Sequence, residues 1–229
     1  MKISAILFDF DGTLTRPHGI DFPAIKHAIG CPPDEPAWEF ILAIADEQER
    51  WNAEEVLARY EMAAAAAAEP NTGAEEAVSA LLALGLPLAV LTRNSRVALD
   101  RAFKNFDQIR EDMFVTVLTR DDGHEPKPDP EGMLKAAAAL GVPAAELLCV
   151  GDYKFDVEGA ANAGARSAFL TNGGGAPPAE PQADFVIEQL AELVAIARRH
   201  RPLPAGKLPN ALRSEEHTSE LQSLFIISY

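Results

Sequence analysis

The chain has 229 residues, of which 48% are hydrophobic and 24% charged, and carries a formal net charge of −15. That length suits one core domain with a modest insertion, and so acidic a surface argues against nucleic acid and anionic membrane as partners, because binding either relies on clustered Lys and Arg. The longest apolar stretch, residues 80–91, is too short for a membrane span, no signal peptide precedes the first strand, and Cys31 and Cys149 read as ordinary thiols without metal-ligand spacing, so the expected location is the cytoplasm.

The first element is the apolar run Ala5-Ile6-Leu7-Phe8, which reads as a strand buried on both faces. It delivers Asp9 and Asp11 to the rim of the sheet, where open α/β folds bind ligands, and period-two alternation points both the same way. Two carboxylates this close repel unless a cation or a shared proton relieves them, and hard oxygen donors favour Mg²⁺. The same residues also read as a plain Asx-type turn, with Gly12 supplying a positive φ.

Between Thr13 and Leu88 lie at least three helical patterns, more than one crossover needs. Trp38, Ile41, Leu42 and Ala45 fall at i, i+3, i+4 and i+7, and Val56, Leu57 and Tyr60 begin a second stripe that runs into the alanines of residues 63–68. Pro70-Asn71 ends that helix. Thr72 and Glu75 have capping-box spacing, and Val78, Leu81, Leu82 and Gly85 carry the next helix back to the sheet. Among the charged and aromatic residues of this stretch, Arg16, His18, His27, Arg50, Trp51 and Arg59 are candidates to meet a substrate, although helix-surface charges are commonly just solvated.

A second strand, residues 86–91, runs into Thr92-Arg93-Asn94-Ser95, delivering hydroxyl and cationic groups just before a helix, whose N-terminus attracts anions. Residues 93–126 leave room for one helix and one strand. Lys127 then stands between Pro126 and Pro128, which restrict the backbone on either side and aim the ammonium. Asp129 suits an N-cap and Pro130 a first helical position, with Met133, Leu134, Ala137 and Leu140 on the core face and Gly141 as the stop. His124 reads as a loop residue. The strand at residues 147–151 ends at Asp152, with Asp156 four residues further on, so an apolar strand again ends in carboxylate. Residues 167–171 and 184–187 read as two more short strands, separated by a Gly- and Pro-rich loop, and Leu190, Leu193, Val194 and Ala197 give a closing helix.

In this order the segments resemble the haloacid dehalogenase superfamily of phosphatases and phosphotransferases, whose four motifs map onto residues 9–13, Thr92, Lys127, and Asp152 with Asp156. The resemblance implies a doubly wound, mainly parallel α/β core over residues 1–16 and 71–200, with a small helical cap over residues 17–70. It implies Asp9 as nucleophile, Asp11 as general acid and base, and Thr92 and Lys127 as catalytic groups around the phosphoryl. Gly12, Thr13, Arg93 and Asn94 are the expected substrate-binding residues, Asn94 having a helix cap as its other reading. Mg²⁺ would be held by Asp9 and Asp152 through side chains and by Asp11 through its carbonyl oxygen, with Asp156 placed at the metal or holding Lys127. Relatives that act on halides or phosphonates lack an acid at the second aspartate, so Asp11 argues for phosphate esters, whose alkoxide leaving groups need a proton.

The small cap and the Pro-Lys-Pro-Asp-Pro loop resemble the phosphoglycolate-phosphatase-like branch, which makes a small phosphorylated metabolite the expected substrate. A phosphomutase of the β-phosphoglucomutase type, a non-catalytic binding module and a signalling receiver domain are the alternatives. Retention of Asp9 and Asp11 disfavours the second of these, and the position of Asp9 on the first strand disfavours the third. Residues 213–229 look like the in-frame translation of a sequencing adapter, and disorder is expected across residues 201–229.

Overall fold

A computed structural model describes residues 1–201; the expectations for the tail, residue 201 apart, lie outside the described residues. Six parallel strands form one sheet in the order β3-β2-β1-β4-β5-β6. They are β1 (Ala5–Phe8), β2 (Leu88–Leu91), β3 (Thr116–Leu118), β4 (Leu147–Gly151), β5 (Arg166–Leu170) and β6 (Phe185–Ile187). This is the strand order of a doubly wound fold, and its switch point lies between β1 and β4.

Alternation along the strands sorts the core into two faces. Ile6, Phe8, Leu88, Val90, Leu148 and Val150 share one cluster with residues of α4 (Ala74–Ala83), α5 (Arg96–Phe103) and α8 (Glu192–His200). Ala5, Leu7, Ala89, Leu91, Leu147 and Cys149 pack on the other face against α6 (Glu131–Leu140) and α7 (Lys154–Ala163). Each fully buried Leu, Ile or Phe contributes about 1.5–3 kcal/mol relative to exposure, which is why these short strands read as unbroken apolar runs. Burial of Cys149 raises its thiol pKa and leaves it a core residue.

Three helices are inserted between β1 and α4: α1 (Phe22–Ile29), α2 (Ala37–Ala43) and α3 (Glu47–Ala67). They enclose a small core of their own, built from Ile25, Ala37, Ile41, Ala53 and Leu57. The chain leaves and returns through one seam, where Thr15 bridges Pro70, Arg16 N–H donates to Glu69 O at 3.0 Å and Asn71 N–H donates to Leu14 O at 2.8 Å.

Local expectations differ from the structure at several places; α6, for one, starts at Glu131 with Pro130 rather than Asp129 in the N-cap position, and Asp129 Oδ1 accepts from the Glu131 N–H at 2.9 Å. Helix α2 ends at Ala43, two residues before the expected stripe does, so Ala45 falls outside it; Leu42 is exposed, and Ala37 and Ile41 supply the buried face. Thr72 and Glu75 form no capping box, because Gly73 caps α4 in a left-handed conformation and the Glu75 carboxylate instead accepts from the backbone N–H groups of Gln108 and Ile109. Leu134, expected on the core face of α6, is exposed, while Met133, Ala136, Ala137 and Leu140 are buried.

Candidate active site

Asp9 directly follows β1, and its N–H still donates to Val150 O at 2.8 Å, extending the ladder by one residue. Phe10 then turns inward and packs on Phe103 and Phe106, with ring centroids 5.1 and 5.9 Å apart. Anchoring Phe10 in the core sends its two neighbours, Asp9 and Asp11, to the opposite side, where both line one cleft. At Gly12 the chain turns with φ +75°, and a Cβ there would overlap the Asp152 carboxylate, so the close approach of the first loop to β4 requires glycine.

Lys127 joins the distant segments. Its buried ammonium donates to Asp9 Oδ1 at 2.5 Å, Asp156 Oδ1 at 2.6 Å and Leu91 O at 3.2 Å. Asp156 Oδ2 accepts from the Tyr153 N–H at 3.2 Å, so one carboxylate both holds the lysine and caps α7. Candidate ligand oxygens of Asp9, Asp152 and Asp156 lie within 4.8 Å of one another. Three acids against one ammonium leave a surplus of negative charge, and an all-oxygen donor set of this kind suits a hard divalent cation.

The electrostatics follow from burial and crowding. Burial raises Asp9 to about 6 against the pull of Lys127, and raises Asp152 to about 8 with Asp9 and Asp156 adding to it. Burial, Asp9 and Glu61 together raise Asp11 to about 7. Burial alone would lower the Lys127 pKa, but Asp156 and Asp9 outweigh it and hold the ammonium firmly charged.

The loop after β2 contributes the remaining groups. Asn94 Nδ2 donates to Asp11 Oδ2 at 2.6 Å, and the Asn94 N–H donates to Thr92 Oγ1 at 3.2 Å, while the helix-capping role falls to Ser95. Thr92 and Thr13 are buried, and the Thr13 hydroxyl has no partner among the described residues. Arg93 reaches sideways, donating to Lys127 O at 3.0 Å and to both Glu39 oxygens at 2.8 and 2.5 Å. Asp9, Asp11, Gly12, Thr92, Arg93, Asn94, Lys127, Asp152 and Asp156 thus line a single cleft of about 1030 Å³ between the sheet rim and the inserted helices. Thr13 sits beneath it, adjacent to Gly12.

Of the residues considered in the insertion, His18 lines this cleft. Arg16 instead pairs with exposed Glu69, Trp51 is exposed, Arg59 borders a separate shallow depression, and His124 Nδ1 lies 2.9 Å from Glu125 O. Sequence reasoning missed Glu61, Arg120 and Trp38. Arg120 donates to Glu61 and its guanidinium lies 4.7 Å over the Trp38 ring. The signal for Glu61 was present, since Ala53, Leu57, Glu61 and Ala65 form the buried i, i+4, i+8, i+12 stripe of α3, with a carboxylate in an otherwise apolar row. Asn71 and Asn172 were also missed; both donate to Gly12 O, at 3.3 and 2.8 Å, and so fix the turn from outside.

A sequence profile described as haloacid dehalogenase-like hydrolase matches residues 15–170. The chain is 31% identical over 223 residues to the N-acetylmuramic acid 6-phosphate phosphatase of Pseudomonas aeruginosa, covering 87% of this chain and 96% of that protein. It is 30% identical over 190 residues to the pyrophosphatase PpaX of Halalkalibacterium halodurans, covering 74% and 84% of the two. The crystal structure of a hydrolase from Pseudomonas syringae has the same fold, with a TM-score of 0.71 at 22% identity over 87% of this chain and 100% of that one.

Proposed function

The chain belongs to the haloacid dehalogenase-like hydrolases, and on that premise we propose that it is a Mg²⁺-dependent phosphatase that hydrolyses a small organic phosphate monoester through an aspartyl-phosphate. The observation that carries this reading is the linked set Asp9–Lys127–Asp156, with Asp152 and Asp11 alongside it in one cleft. Relatives named as phosphatases support the same class of chemistry.

Asp9 is the nucleophile. One of its oxygens is held by Lys127, which keeps the carboxylate ionised and oriented, and the other is left to form the bond to phosphorus. As that bond forms, the ester P–O bond breaks and Asp11 gives its proton to the departing alkoxide. Asp11 suits this exchange because its pKa is raised to about 7 and Asn94 fixes one of its oxygens. In the second half, Asp11 takes a proton from water as the water oxygen attacks phosphorus, the Asp9–phosphorus bond breaks, and inorganic phosphate leaves.

Asp9 and Asp152 would hold Mg²⁺ through side chains and Asp11 through its carbonyl oxygen, with Asp156 fixing Lys127. When bound, the ion supplies positive charge that offsets the phosphoryl oxygens. The Thr92 hydroxyl supplies a further donor and Lys127, whose three N–H groups are already taken, supplies positive charge, while the Thr13 hydroxyl, buried beneath the cleft next to Gly12, is otherwise without a partner among the described residues. Helices α1–α3, residues 17–70, act as a cap that closes over the leaving group and limits water. Acidic charge and the absence, among the described residues, of a helix long and apolar enough to cross a membrane fit a small dissolved substrate.

The test is phosphate release from a panel of phosphate monoesters with and without Mg²⁺, run beside Asp9→Asn. Mg²⁺-dependent release by the wild type that is lost in the variant is the expected result, and equal release by both proteins contradicts it.

A further inference from the structure

Beyond the acid cluster, the cleft holds two inner arginines, and each already has a carboxylate partner. Arg93 is gripped by both oxygens of Glu39, which comes from α2, and its guanidinium lies 5.1 Å from the centre of the Phe155 ring. Arg120 is paired with Glu61 from α3; their side chains are only 9% and 4% exposed, and Ser95 Oγ donates to the second Glu61 oxygen at 3.2 Å. The other cations of the cleft are placed differently. Lys127 is committed to Asp9 and Asp156, Lys26 donates to Pro33 O at 2.7 Å, and Lys154 is exposed over the Phe155 ring.

We propose that Glu39 and Glu61 are specificity-determining residues: by neutralising the two arginines they make the enzyme select phosphate monoesters whose leaving alcohol is uncharged, and reject those whose leaving group carries its own carboxylate or phosphate. The inference rests on the phosphatase reading of the same site. A second anion settling deep in the cleft, beside the two arginines and away from Lys26 and Lys154, needs a cation there whose charge is still unmatched, because burial of an unpaired charge is strongly unfavourable. Here the inner arginines offer none, and Glu61, which lines the cleft, faces an incoming anion with like charge.

An uncharged polyol meets no such penalty. Its hydroxyls can donate to the remaining lone pairs of Glu61, which lines the cleft, since a carboxylate accepts more than one hydrogen bond. Exposed faces of Tyr153 and Phe22 also line the cleft and cover a carbon skeleton. The pairing therefore favours a sugar or other polyhydroxy phosphate over a phosphorylated carboxylic acid or a diphosphate.

The test compares kcat/KM with Mg²⁺ for glucose 6-phosphate, ribose 5-phosphate and glycerol 3-phosphate against phosphoglycolate and pyrophosphate, in the wild type, Glu39→Gln and Glu61→Gln. The wild type is expected to favour the best of the uncharged-alcohol esters by at least about tenfold. Glu39→Gln, at a half-exposed position where the isostere is tolerated, is expected to shift that ratio toward phosphoglycolate by about tenfold or more, because Arg93 is released. A wild type that prefers phosphoglycolate or pyrophosphate overturns the inference and leaves the phosphatase reading standing. Ratios unchanged in both variants overturn the role of the two glutamates. Turnover of none of the five compounds overturns the inference together with the reading beneath it.

Discussion

Lys127 Nζ stands 2.5 Å from Asp9 Oδ1, although 118 positions separate the two residues in the chain. The contact closes because β1 and β2 are neighbours in the sheet and the Lys127 ammonium also donates to Leu91 O, at the end of β2. Electrostatic strength and placement thus come from the same buried group.

Replacing Lys127 with Ala leaves Asp9 and Asp156 facing one another without their shared cation. Loss of one such preorganised charge lowers kcat by about 10²–10³-fold. Breaking a buried pair by removing one partner also destabilises the fold by about 3–5 kcal/mol, reduced here to the extent that the carboxylates take up protons. Steady-state kinetics and urea melts of Lys127→Ala beside Lys127→Arg measure both effects. Wild-type kcat in Lys127→Ala would refute the role.

Asp9, Asp11 and Asp152 are raised to about 6, 7 and 8, all above the ordinary 3.8. A carboxylate that binds its proton more tightly in the folded chain contributes stability that is fully present below about pH 4 and is lost as pH rises through 6 to 8. Bound Mg²⁺ requires its carboxylate ligands, Asp9 and Asp152, ionised, so it stabilises more at high pH. Thermal melts with chelator and with Mg²⁺ are therefore expected to show a larger Tm gain at pH 8 than at pH 5, most of it absent in Asp152→Asn. Equal gains at both pH values count against the site.

Gly12→Ala tests the close approach of the first loop to β4. The new Cβ meets both a left-handed backbone and the Asp152 carboxylate. A cost of about 1–3 kcal/mol from the backbone alone is expected, with Mg²⁺ affinity falling further because Asp152 is pushed aside. Isothermal titration with Mg²⁺ reads the second effect, and unchanged affinity would separate Gly12 from the site.

Asn105 is a stability prediction away from the chemistry. Its Nδ2 donates to Ala65 O, Ala66 O and Ala68 O at 3.0, 3.3 and 2.9 Å, tying the end of α3 to the core. Asn105→Ala leaves those carbonyls without the donor and is expected to lower stability by about 1–3 kcal/mol. Denaturant melts check this, and a change under about 0.5 kcal/mol, the range of surface substitutions, would show that water replaces the amide.

The sheet and the acid cluster were legible because both are written locally. Buried parallel strands demand unbroken apolar runs, and groups at their ends must lie at the rim, so Asp9, Thr92 and Asp152 announce their positions one strand at a time. Groups arriving from helix faces gave no comparable sign. Glu39 and Arg120 look like any solvated charge until α2 meets the loop after β2 and α3 meets the loop after β3, and Arg93, an expected substrate-binding residue, is paired with Glu39 in the structure. Leu42 and Leu134 mark the converse failure: an apolar residue at helical spacing still faces solvent where a helix ends early or its buried stripe is narrow.

The most direct test of the whole account is to quench a single turnover of Mg²⁺-loaded enzyme with acid and locate phosphate on the protein by peptide mass spectrometry. An acyl-phosphate on Asp9, absent in Asp9→Asn, is the predicted result. Substrate turnover with the phosphoryl group never found on Asp9, together with retained activity in Asp9→Asn, would contradict the central claim.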